Sequence, residues 1–151
     1  MIVPAAVHVV TLGARDLGKL RAFYRRLGWS LAVDLDDFAA FQTAGAVLAL
    51  FPLERLAADG RAQSAAPERG MRGFSLAIVV TSPQEVDEVI AAVREAGGRI
   101  TKEPVAAEEF EGRSAYFADP EDNFWEVAFV PAESRMAAAI RRATEGREPP
   151  G

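Results

Sequence analysis

Few side chains in this sequence could do metal or acid–base chemistry. There is one histidine, His8, and no cysteine, so one chain offers neither a thiolate nor a pair of imidazoles. Glu126 is the most informative carboxylate, because it stands between Trp125 and Val127 in a pattern typical of a strand. Since side chains alternate between the two faces of a strand, Glu126 is predicted to face away from both apolar neighbours.

The elements predicted around these residues occur twice. Each half reads as a strand, a helix and a run of strands, starting near residues 7–10 and 74–80. A repeat allows corresponding positions to be compared within one chain. The positions that we expect to face a pocket from the first and last strands are His8, Leu48, Ser75 and Glu126.

The first half predicts a helix that begins at an Asp16 N-cap and ends at Gly28, with one apolar face. Strands are predicted over 29–34, 37–42 and 46–51. In the second half, Ser82, Pro83 and Glu85 form a capping box with proline at the first helical position. The strands that follow are predicted over 99–103, 113–118 and 123–130.

These patterns predict two βαβββ modules, at residues 5–52 and 73–130. Residues 53–72 are rich in Ala, Arg, Gly and Pro, which favours a linker, or alternatively a lid over a pocket. Residues 131–151 are predicted to be a tail that forms a short docking helix or a disordered terminus.

Composition narrows the classes of partner. The net charge is −5, and residues 73–151 carry 15 acidic and 8 basic side chains, which argues against nucleic acid and favours a neutral or cationic ligand. No apolar run approaches 18 residues and no signal peptide is evident, so we expect no membrane partner. The lack of cysteine agrees with a cytoplasmic location.

Two segments carry a family resemblance. In the first, His8 is followed by Asp16-Leu17 and by a helix with Phe23-Tyr24 and Leu27-Gly28, and the second runs from Gly112 to Glu126 (GRSAYFADPEDNFWE). The pattern resembles the vicinal oxygen chelate superfamily, which includes glyoxalase I, bleomycin-resistance proteins, fosfomycin-resistance proteins and extradiol dioxygenases. The resemblance implies an α+β fold in which two tandem βαβββ modules form a curved mixed sheet around a cleft. Such proteins usually carry Gly where Asp122 stands, so we expect a left-handed backbone there.

The resemblance also assigns the site positions. Metal-using relatives take ligands from the first and last strands of both modules, which implies His8 and Ser75 on first strands and Glu126 and Leu48 on last strands. The alignment at Leu48 can shift by a residue or two. Because Leu48 cannot ligate and neutral Ser75 is a poor ligand, we expect no complete metal site, although a divalent ion on His8 and Glu126 remains open.

Two side chains stay ambiguous at this level. His8 is interpretable as a half-buried structural imidazole, as a pocket residue that hydrogen-bonds a ligand, or as a catalytic base or metal ligand. Alternation places Tyr116 and Phe117 on opposite faces of one strand, but it does not say which of them lines the pocket. Our candidate for the pocket is Tyr116.

The leading hypothesis is a protein that binds a small planar or cationic molecule in an apolar cleft, as bleomycin-resistance-type relatives do. The alternative is a metal-dependent lyase, isomerase or dioxygenase that uses His8 and Glu126, and a third is an interaction unit with a vestigial cleft. A homodimer is expected, because such modules expose sheet edges that relatives cover by pairing or by exchanging modules.

Overall fold

The computed structural model describes residues 3–64 and 69–145. The chain divides into two compact units after Ser64. They are called module one and module two below, and each is described by itself.

Module one has the order β1 (Val9–Ala14), α1 (Leu17–Arg26), β2 (Leu31–Leu35), β3 (Phe38–Phe41) and β4 (Val47–Pro52). Its four strands lie side by side in the order β1-β4-β3-β2. β1 and β4 are parallel, and the other neighbours are antiparallel.

Module two repeats this plan with β5 (Leu76–Val80), α3 (Pro83–Glu95), β6 (Arg99–Ala106), β7 (Arg113–Ala118) and β8 (Phe124–Phe129), in the sheet order β5-β8-β7-β6. The two predicted βαβββ units and the α+β class are therefore confirmed. β6 runs past the predicted end at Glu103, because Pro104 lies on an edge strand, where its missing N–H costs no ladder hydrogen bond.

The core of module one lies between α1 and its sheet. Leu20, Phe23 and Tyr24 of α1 are fully buried, and the Tyr24 ring lies 5.8 Å from that of Phe41. Phe41 is the cross-strand partner of Leu48, so Leu48 shares the face of the sheet that α1 covers.

The core of module two is built in the same way. Val86, Ile90 and Val93 form the buried stripe of α3. Trp125 stacks on its cross-strand partner Phe117 with ring centroids 6.0 Å apart, and Trp125 is 5% exposed. We call the opposite face of each sheet, away from α1 or α3, the distal face.

The segment predicted as a linker contains a helix, α2 (Leu53–Asp59), that contacts β1 and β4. A Cβ atom on Gly13 of β1 would lie 2.6 Å from Cδ1 of Leu53. Glycine at this position therefore lets α2 approach the strand closely. The centre of the predicted linker, residues 65–68, lies outside the described residues.

The predicted tail contains a helix, α4 (Arg135–Thr144). Its N-cap is Ser134, whose hydroxyl accepts a hydrogen bond from the Ala137 amide at 3.1 Å. Residues 146–151 of that tail are outside the described part of the chain. Among the described residues, no helix has the length and apolar character needed to cross a membrane.

The turn that leads into β8 is held by buried polar groups. Asp119, 3% exposed, accepts hydrogen bonds from the amides of Glu121 and Asn123 and from the Asn123 side chain. Arg72 donates to Asn123 Oδ1 at 2.9 Å, which ties the preceding segment to the turn. Asp122 has a φ of 59°, so the predicted left-handed residue is confirmed.

Asp122 is held by two contacts. Its carboxylate accepts hydrogen bonds from Arg99 at 2.9 Å and from the Gly70 amide at 3.3 Å. Burial raises the pKa of Asp122, but the hydrogen bond and charge of Arg99, with the Gly70 amide and Arg69, outweigh it, and the net pKa is lowered from 3.8.

Replacement of Asp122 tests this turn. Asp122→Ala is expected to lower the free energy of unfolding by about 1–2 kcal/mol, because alanine tolerates the left-handed backbone poorly and both hydrogen bonds are lost. Asp122→Asn is the matched control and should cost less than half as much, since asparagine tolerates that backbone and still accepts from the Gly70 amide. Urea unfolding at pH 7 measures both.

The lowered pKa of Asp122 also predicts how stability depends on pH. Stability from the Asp122 charge is present above its ordinary pKa of 3.8 and is lost as pH falls through the lower folded value. The stability gap between wild type and Asp122→Asn should therefore narrow on acidification. Equal losses in the Ala and Asn variants would contradict the backbone explanation.

Candidate functional site

The register of the two sheets shows which positions of the modules correspond. Val10 precedes the N-cap Asp16 by six residues and pairs with Leu48, whereas Leu76 precedes the N-cap Ser82 by six and pairs with Trp125. Leu48 and Trp125 both lie on helix-covered faces. One residue further along, Ala49 corresponds to Glu126.

The same correspondence pairs Ser75 with Val9. His8 lies one residue earlier, and Phe74 is its counterpart. The structure places His8 directly before β1 with its side chain exposed rather than half-buried, and its carbonyl oxygen accepts a hydrogen bond from the Val47 amide at 2.8 Å. Ser75 is likewise exposed and directly precedes β5.

Leu48 is part of the core of module one. It is 3% exposed and lies on the α1 side of the sheet, so its side chain does not reach the distal face. Ala49, 1% exposed, takes the distal position instead. The correct alignment is therefore shifted by one residue from the one assumed in the sequence analysis.

Glu126 lies on the distal face of module two, as the alternation along β8 predicts. Trp125 and Val127 are buried on the α3 side, and Glu126 is half-buried on the other. Its cross-strand partners are Tyr116 on β7 and Ala77 on β5. Of the two aromatic candidates on β7, Tyr116 is therefore the one that accompanies Glu126, while Phe117 packs in the core.

Glu126 affects the ionisation of Tyr116. Burial raises the pKa of the Tyr116 phenol above its ordinary 10.0, and the hydrogen bond to Glu126 and the charge of that carboxylate raise it further. The phenol thus stays protonated at neutral pH beside the Glu126 carboxylate. A carboxylate next to one phenol retains further acceptor capacity.

One polar residue of this face, Lys102, was missed by the sequence analysis. Lys102 on β6 is a cross-strand partner of Tyr116, its Nζ donates to Ser114 Oγ at 2.8 Å, and the same atom lies 5.6 Å from the centre of the Tyr116 ring. Ser114 is 1% exposed. The pairing of β6 with β7 shifts register on both sides of Lys102, so strand spacing alone does not reveal which residues meet.

Small apolar side chains surround these polar groups. Ala77 is the direct neighbour of Glu126 on β5, and Ala128 and Ala118 continue the same face along β8 and β7. Ala118 and Ala128 are 1% and 3% exposed, so of these three alanines only Ala77 presents exposed apolar surface beside Glu126.

The residues do not fit the metal site that the resemblance implies. At the strand positions in question, module one provides Val9 and Ala49, which carry no donor atom, and module two provides Ser75 and Glu126. Among the described residues, no three His, Asp or Glu side chains are grouped so as to hold a metal ion. A transition metal needs three or four good donors, so we derive no chemistry through one.

The Tyr116–Glu126 contact makes a titration prediction. Glu126→Gln is expected to lower the pKa of Tyr116, because it removes the negative charge that opposes phenolate formation, while the part due to burial remains. Tyr24 and Tyr116 are the only two tyrosines in the sequence, so ultraviolet titration near 295 nm resolves the change. Glu95→Gln, on the exposed end of α3, is the control and should leave the curve unchanged.

The chain is similar to a known protein family and to solved structures. A family model described as Glyoxalase/Bleomycin resistance protein/Dioxygenase superfamily matches residues 6–127. No match was found among curated proteins.

Solved structures agree with this. A glyoxalase-related enzyme from Fulvimarina pelagi is 29% identical with a TM-score of 0.76, over 85% of this chain and 91% of that one. A glyoxalase/bleomycin resistance protein/dioxygenase from Nocardioides is 23% identical with a TM-score of 0.74, over 89% of each chain. Lactoylglutathione lyase from Agrobacterium tumefaciens, 23% identical with a TM-score of 0.62 over 83% of this chain and 94% of that one, shares the fold. Because the family model spans well over half of the sequence, the chain belongs to the Glyoxalase/Bleomycin resistance protein/Dioxygenase superfamily.

Proposed function

We propose that the protein binds a small planar or cationic molecule at a site that includes the distal face of module two, without a complete metal site. The observation that carries the proposal is the half-buried carboxylate of Glu126 on the distal face. It is the cross-strand partner of Tyr116 and stands on a strand whose neighbouring side chains are buried on the opposite face.

The charge and the composition of this face both support this ligand class. A half-buried carboxylate costs desolvation free energy unless a donor reaches it, and Tyr116 satisfies only part of its acceptor capacity. A ligand N–H or ammonium group would satisfy the rest. Exposed Ala77 adds apolar surface beside Glu126 and Tyr116, and an apolar surface with a few polar groups is the usual composition of a small-molecule site.

Ligand binding can be tested by thermal shift with a panel of planar aromatic compounds, half of which carry an amine. Amine-bearing compounds are expected to raise the melting temperature of the wild type. Glu126→Gln should weaken their binding about tenfold or more, because a hydrogen bond to a charged group contributes about 1.5–3 kcal/mol.

Glu95→Gln is again the matched control, since it removes the same charge from an exposed helix end. Melting curves that do not respond to any compound, or hits that bind Glu126→Gln as well as the wild type, would count decisively against the proposal.

The metal-free part of the proposal has its own test. Purified protein exposed to Mn, Fe, Ni or Zn and then desalted is expected to retain much less than one ion per chain by elemental analysis. His8→Ala should leave that content unchanged, because His8 lies one residue away from the position that corresponds to Ser75. A stoichiometric ion that is lost in His8→Ala or Glu126→Gln would favour the enzyme hypothesis instead.

A further inference from the structure

A cationic group lies on the same face as Glu126. Lys102, Tyr116, Glu126 and Ala77 form one cross-strand row across β6, β7, β8 and β5. Directly paired residues on neighbouring strands point to the same face of a sheet. The ammonium and the carboxylate therefore flank the phenol of Tyr116 on the distal face of module two.

The row keeps these two charges apart. Neighbouring strands lie about 4.8 Å apart, so the backbones of Lys102 and Glu126, with β7 between them, are separated by about 10 Å. Within the part of the chain that the structure describes, no salt bridge joins Lys102 or Glu126 to another charged residue. Both side chains are half-buried, so each is partly desolvated with no neutralising partner among residues 3–64 and 69–145.

The side chain of Lys102 is held by contacts with neighbouring residues and does not simply extend into water. Its ammonium donates to the buried hydroxyl of Ser114 and lies over the ring of Tyr116. An ammonium has three N–H donors, and the serine takes one of them. The remaining donors are available to an anionic group that approaches along the distal face.

We infer that the ligand of this face is dipolar, with an anionic group such as a carboxylate against Lys102 and an amine or other donor against Glu126. The inference rests on the proposed function, because it concerns the same face, and it adds a second charge requirement. A molecule that spans the two charges lies beside Tyr116.

Three probes with one scaffold test this inference: benzylamine, benzoate and 4-(aminomethyl)benzoate. We expect the zwitterion to bind the wild type at least tenfold more tightly than either single-charge probe in calorimetric titration. Lys102→Met keeps the length and apolar contact of the side chain and removes the charge, so it should abolish the advantage of the zwitterion over benzylamine. Lys19→Met, on an exposed turn of α1, replaces the only other lysine of the sequence and should change nothing.

The outcomes separate the two proposals. Benzylamine binding that depends on Glu126 would support the proposed function. If the zwitterion then binds no more tightly than benzylamine and Lys102→Met does not change its affinity, the dipolar inference is overturned and the proposed function stands. If none of the three probes binds the wild type, both are overturned. Circular dichroism and melting curves of the Lys102→Met protein establish that it is folded, and Lys102→Arg, which keeps the charge, should retain the preference for the zwitterion.

Discussion

The packing of β8 against α3 is the constraint on which the site depends. Trp125 and Val127 are large apolar side chains whose burial drives this strand onto the helix. Since the period of a strand is two residues, burying both forces Glu126 to the distal face. A register slip of one residue would bury the carboxylate and expose the tryptophan, which is too costly to occur. The position of the Glu126 carboxylate is therefore a consequence of core packing.

The same fold makes the two modules chemically unequal. Ala49 stands where module two has Glu126, and Val9 stands where it has Ser75. Module one therefore provides apolar surface on its distal face, part of which α2 covers through its close approach to Gly13. A repeated scaffold preserves backbone positions and leaves each side chain free to differ, so membership in the superfamily does not determine the chemistry.

The elements themselves were largely predictable. Capping residues, helical periodicity and alternation located α1, α3 and most strands within a few residues, because local backbone preferences and burial agree there. Pro104 misled the prediction of the end of β6, since whether a proline is tolerated depends on whether its strand is an edge. The helix within 53–72 was missed, because its seven residues make only two turns, too few for a clear helical period.

The sequence by itself determined the scarcity of donors, the duplicated βαβββ plan and the face on which Glu126 stands, because these depend on composition and on the two-residue period of a strand. Only the tertiary structure decided that Ala49 rather than Leu48 corresponds to Glu126, that Tyr116 rather than Phe117 accompanies it, and that Lys102 joins them. Each of these facts depends on the register between paired strands, which the alternation within one strand does not give. Register is set by core packing and by irregularities in pairing, such as those on both sides of Lys102, that local sequence patterns do not encode.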